Sequence, residues 1–164
     1  MLASTGPLRA DTEEHAMDAR LKRLYWQATA LLLAAHFAGW AAALPLVLAL
    51  NLLQALHFAA ARRSLRAFDV QVRVAYLMLL VVGTAGLLWP IHWIQFVGVN
   101  ALLVADYCPL ARLLVLLPWN RHVPLSPALL RWLVFSPPAP GAIVSRLPAD
   151  AGTAQGQRLW RASR

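Results

Sequence analysis

The sequence predicts an all-α integral membrane protein: a four-helix bundle of two transmembrane hairpins, then a short cytoplasmic interfacial helix and a disordered tail. Three observations lead there. Hydrophobic residues make up 60% of the chain and charged residues 13%, against about 45–50% and about 25% in soluble domains. All fifteen Lys and Arg fall within residues 1–23, 62–73 and 112–164. Between those segments lie two apolar runs, Leu24 to Ala61 and Val74 to Ala111, each of 38 residues.

Residues 1–23 form a cytoplasmic N-terminal segment. A secretory signal has a basic stretch leading straight into a short apolar one; here Arg9 and Arg20 are mixed with Asp11, Glu13, Glu14 and Asp18, so the segment is expected to be retained. The first apolar run would be roughly 57 Å long as one helix, too long for a single crossing of a ~30 Å hydrocarbon core. It must fold back, and Pro45 marks the place, because proline lacks the helix donor and disfavours helix in the residue before it. Spans of about 24–41 and 45–61 result. The second run carries only Asp106 and breaks at Trp89-Pro90, giving spans of about 74–89 and 91–110 within a transmembrane domain of 24–117.

Charge and aromatic placement orient these spans. Arg20, Lys22 and Arg23 precede the first, Arg62, Arg63, Arg66 and Arg73 fill the middle loop, and Arg112 and Arg121 follow the last. The positive-inside rule then puts both termini in the cytoplasm. Tyr25, Trp26, Tyr76, Tyr107 and Trp119 fall near the inner interface and Trp40, Trp89 and Trp93 near the outer one, as interfacial aromatics do. The preponderance of Arg, Ala and Leu suggests a bacterial inner (plasma) membrane. Residues 118–136 form a cytoplasmic interfacial segment: Ser126-Pro127 is a helix start, and the apolar stretch that follows is too short to cross. Residues 137–164 form a flexible basic tail suited to anionic lipid.

A net charge of +8 does not point to nucleic acid, since the basic residues flank apolar runs instead of covering a water-facing surface. Cys108 is the only cysteine, so no intrachain disulfide forms. Sliding the chain by 49 places sets Asn51 on Asn100, Arg63 on Arg112 and His57 on Asp106. A parallel duplication would give this pattern; so would any two short Leu-rich hairpins.

Polar residues inside a membrane are costly and face the bundle interior. His92, Gln95, Val99, Leu102 and Asp106 share one stripe of the fourth helix. Asn51, Gln54 and His57 occupy the second helix, Thr29 and His36 the first, and Asn100 the fourth. On the third, Gly83 and Gly86 allow close helix approach. Asp106 is either a proton or cation site paired with His57, or an interfacial carboxylate paired with Arg112 or a loop arginine. His36 and His92, both in the outer half, could ligate a b-type haem from opposite sides. No metal motif links His57, Asp106 and Cys108, and no nucleophile–base pair, phosphate-binding glycine loop or HExxH pattern is present. The cofactor is therefore unknown and enzymatic activity unsupported.

The segment Asp106-Tyr107-Cys108-Pro109-Leu110-Ala111-Arg112, ending an apolar hairpin, resembles the Cys-Pro-Leu-Tyr ending of the small two-helix YgaP-like transmembrane domains. The likeness covers residues 74–117 and departs from the family's pattern at Ala111 and at Asp106-Tyr107. It implies membrane anchoring or helix pairing and no chemistry. The function expected is that of a non-catalytic accessory, assembly or anchoring subunit, partnered by another membrane protein or by a second copy. The alternatives are a haem- or quinone-binding redox subunit and a small transporter using Asp106.

Overall fold

The computed structural model describes residues 6–120, 123–137, 143 and 147, with side chains from Asp18 onward. Six α-helices and one 3-10 turn make up its regular structure: α1 (Gly6–Phe37), α2 (Ala43–Arg62), α3 (Phe68–Gly83), the turn Gly86–Leu88, α4 (Pro90–Ala105), α5 (Pro109–Leu114) and α6 (Pro127–Phe135). No strand occurs among the described residues. Residues 1–5 and nearly all of the expected tail, including Arg146, Arg158, Arg161 and Arg164, lie outside the described residues.

Local chemistry sets most of these boundaries. Gly39 takes φ +91°, and its N–H bonds His36 O while Trp40 N–H bonds Ala35 O, both at 3.0 Å. This is the paired closure that a left-handed residue after a helix permits, and it stops α1. Pro45 then sits in the first turn of α2, where a missing N–H leaves no intrahelical bond unmade. α2 ends at Arg63 in the left-handed region, φ 48°. Pro90 opens α4 as its first residue, the position its fixed φ suits. Ser126 Oγ accepts from Leu129 N–H at 3.2 Å and caps α6.

The second apolar run is shaped differently from the spans expected of it. Helix α3 already begins at Phe68 and stops at Gly83, where Thr84 Oγ1 donates to Val81 O at 2.6 Å. Helix α4 stops at Ala105, ahead of Leu110, because Pro109 holds Cys108 extended at φ −102°, ψ 103°. Asp106 between them adopts φ 50°.

Helices α1 to α4 pack in sequence, α1 on α2, α2 on α3, α3 on α4 and α4 back on α1. Trp26, Ala30, Leu33, Val47, Tyr76, Leu80 and Val99 are buried between them. A second, smaller cluster of Val115, Val123, Leu129 and Leu133 seats α6 beside α5. Among the described residues two stretches, Ala43–Arg62 and Gly86–Ala105, are long and apolar enough to cross a membrane. Helix α3, at 16 residues, is shorter than the ~20 residues of an ordinary crossing.

Candidate functional site

The polar side chains gather in two places, between the four long helices and at the charged end of the molecule. Thr29, Asn51 and Gln54 are fully buried. Asn51 Nδ2 donates to Val47 O at 2.8 Å and to Thr29 Oγ1 at 3.3 Å, and Gln54 Nε2 donates to Asn51 Oδ1. Asn51 thus ties α2 to α1. Asn100, its counterpart under the 49-place shift, is half-buried and donates to Phe96 O of its own helix at 2.8 Å. The two asparagines therefore do different work. Asn51→Leu should lower stability by about 1 kcal/mol, the usual net value of an intramolecular hydrogen bond. Asn100→Leu should cost clearly less, as read from unfolding midpoints; equal costs would refute the assignment.

Across α3 and α4, Gln95 Nε2 donates to Tyr76 O at 2.8 Å and Tyr76 Oη donates to Gln95 O at 3.4 Å. One turn away, His92 Nε2 lies 3.2 Å from Leu80 O. A carbonyl only accepts, so this nitrogen carries the proton. Gly83 makes room for the ring, since a Cβ there would sit 2.5 Å from His92 Nε2. The side-chain oxygens of Gln54 and Gln95 are buried without a donor.

His36 of α1 meets His92 of α4 with ring centroids 5.6 Å apart, so the two candidate histidines lie together. The Nε2 of His92 is nevertheless engaged on α3. Ligating a haem iron through it would break the Leu80 contact, so the arrangement favours helix pairing over a haem site. His57 is exposed and packs against Tyr25, with centroids 5.9 Å apart. Asp106 is also exposed, at the end of α4, and forms no ion pair among the described residues. No group of three or more His, Cys, Asp or Glu fit to hold a metal occurs among the described residues.

At the charged end, Asp18 pairs with Lys22 at 2.6 Å and with Arg62 at 3.5 Å, and Arg62 pairs with Asp69 at 3.0 Å. The N-terminal half of α1 is thereby joined to the loop between α2 and α3. Two arginines go further inside than their place in basic segments suggests: Arg73 is 3% exposed and Arg112 7%. Arg73 lies over the Phe58 ring, 3.6 Å from its centroid, and its Nη1 donates to Asp69 O at 2.6 Å. Arg112 stacks on Tyr107 at 4.0 Å. Its Nη1 donates to Leu133 O and, at 2.6 Å, to Ser136 Oγ; its Nη2 donates to Ser136 O at 3.0 Å and Pro137 O at 3.4 Å. Charge counting finds neither residue, but position does for Arg73, which continues the buried face of α3 formed by Val70, Tyr76 and Leu80.

Between α1, α3, α5 and α6 at this end lies an open cleft of about 1130 Å³. Arg23, Arg73 and Arg112 line it together with the carboxylates of Asp18, Asp69 and Asp106 and with apolar Trp26, Phe68 and Trp132. Concave walls that are mainly apolar with a few charged groups are the usual setting of a ligand site. No family model matches the chain, and no curated protein or solved structure matches it.

Proposed function

We propose that the chain is a non-catalytic subunit of a bacterial inner membrane, a four-helix membrane bundle with both termini cytoplasmic that anchors or assembles a larger membrane complex. The observation that carries this is an inverted distribution of polarity. Leu31 on α1, Leu53 on α2, Met78 on α3 and Ile94 on α4 are 71, 57, 62 and 70% exposed, while Thr29, Asn51, Gln54, His92 and Gln95 are buried among the same helices. A water-soluble bundle does the reverse; exposed apolar faces of this extent call for lipid or a partner. The ion pairs and buried arginines assemble at one end, and at the other exposed Trp40 and Trp89 lie in the connections between helices and Trp93 in the first turn of α4, the order that a bilayer with an anionic inner leaflet sorts.

Under this reading the 32-residue α1, about 48 Å long, carries its charged first half out of the bilayer. The short α3 crosses by drawing the lipid thinner or by letting Arg73 reach the interface along its stem. The interior amides and imidazoles bond helix to helix, the role of a scaffold. The likeness of 74–117 to YgaP-like anchoring domains points the same way.

Cysteine labelling in a Cys108→Ser background tests the placement. Ala42→Cys and Ala85→Cys should react with an impermeant reagent added outside the cell, and Arg66→Cys should react only after permeabilisation; external labelling of Arg66→Cys would overturn the topology. Extraction in mild detergent should yield a stoichiometric membrane partner or a self-assembly, and a lone monomer would count against the anchoring role.

A further inference from the structure

We propose that the cleft at the charged end is a binding site for one anionic phospholipid of the inner leaflet, with its phosphate held by Arg23 and Arg73 and its glycerol and upper acyl carbons against Trp26, Phe68 and Trp132. The site deepens the membrane reading above and rests on it. Charge matching is the first support. Asp18 and Asp69 are taken up by Lys22 and Arg62, whereas Arg23 donates to a backbone carbonyl, Leu103 O at 2.9 Å, and Arg73 and Arg112 likewise bond carbonyl or hydroxyl oxygens. Neutral acceptors satisfy donors and leave the charge. Lys22, Arg23, Arg62, Arg73 and Arg112 line the cleft against Asp18, Asp69 and Asp106, so positive charge is in excess there, and concave low-dielectric walls concentrate such a field.

The second support is a missing acceptor. Arg73 is buried, yet its Nε–H has no hydrogen-bond partner. A guanidinium offers a planar fork suited to a phosphate; the nitrogen is itself covered, so a phosphate would take it up as the Arg73 side chain turns toward the cleft it lines.

The third is the lining. A free phosphate would occupy a small part of about 1130 Å³ and leave Trp26, Phe68 and Trp132 facing water. A phospholipid covers both kinds of wall. Basic pockets at the cytoplasmic ends of membrane helices are the general setting for anionic head groups.

Native mass spectrometry of the full chain in neutral detergent tests this, by titration with a short-chain phosphatidylglycerol, the phosphatidylcholine of the same chains, and glycerol phosphate. One phosphatidylglycerol should bind saturably, the phosphatidylcholine about tenfold more weakly, and glycerol phosphate should not be retained. Arg23→Gln, at an exposed position that leaves the packing intact, should weaken binding about fivefold. Arg66→Gln, in the basic loop outside the cleft, should leave it within about twofold. Equal binding of phosphatidylcholine, retention of glycerol phosphate, or equal losses in the two variants would each overturn the site. Recovery of the chain from the soluble fraction without detergent would overturn the membrane reading itself; a chain that needs detergent and takes up no phosphatidylglycerol would overturn the lipid site alone.

Discussion

Gly83→Ala should destabilise the protein by about 3 kcal/mol, whereas Gly86→Ala, three residues on, should be nearly neutral. The contrast follows from what a single methyl group meets. At Gly83 the new carbon would lie 2.5 Å from His92 Nε2 and 2.6 Å from Cδ2, while at Gly86 nothing stands within 4 Å. The ring cannot yield cheaply, because His36 lies on it and its Nε2 is bonded to Leu80 O. Relief therefore comes from parting α3 and α4, which strains the neighbouring Tyr76–Gln95 pair as well. Overpacking costs about 1–3 kcal/mol and loss of a net hydrogen bond about 1 kcal/mol. Unfolding midpoints in a detergent series measure both variants. Adding His92→Ala to Gly83→Ala should make the double variant less damaged than the two single losses added, since the methyl then has space. Strict additivity, or equal effects at Gly83 and Gly86, would show that the His92 ring does not fill the notch.

How much of this was legible in the sequence depended on how local the cause was. The start of α6 at Ser126-Pro127 is written in adjacent residues; the first fold-back was legible only roughly, since Pro45 signals it whereas Gly39 stops α1 and Pro45 lies inside the first turn of α2. The stripe on α4 was legible as far as Val99, because helical periodicity alone sets it; it failed at Asp106, where the chain had already left the helix and a left-handed residue turned the carboxylate outward. The 49-place register aligns Asn51 with Asn100, yet Asn51 bridges two helices and Asn100 bonds its own, because an alignment of two Leu-rich stretches does not fix which face a neighbour covers. The inward course of Arg73 and Arg112 was not legible from charge patterning. A basic residue beside an apolar run reads as an orienting charge, and only the approach of Phe58 and of the far end of α6 converts it into a packing element.

Arg112→Ala should release α6 from the rest of the protein while α1 to α4 stay paired. Helix α6 has nine residues, too few to persist on its own in water. Its seat consists of buried Leu129 and Leu133, the Tyr107 hydroxyl, which donates to Val134 O at 3.0 Å, and the Arg112 guanidinium, which reaches Leu133, Ser136 and Pro137 together. These are the oxygens at the helix's C-terminal end, where no intrahelical donor remains and a positive charge suits the dipole. Truncation to alanine leaves those buried acceptors unpaired and opens a space beneath Tyr107, a loss of about 3 kcal/mol at that contact. Amide hydrogen exchange is the direct measurement: protection across 127–135 should collapse in the variant and persist across α2. Arg112→Lys keeps the charge but not the planar fork, so it should restore only part of the protection. Arg131→Ala, on the exposed face of the same helix, should restore the baseline question by changing nothing. Protection of α6 that survives Arg112→Ala would mean that Leu129, Leu133 and the Tyr107–Val134 bond suffice to hold it, and the cleft wall formed by Trp132 would then stand without the arginine beneath it.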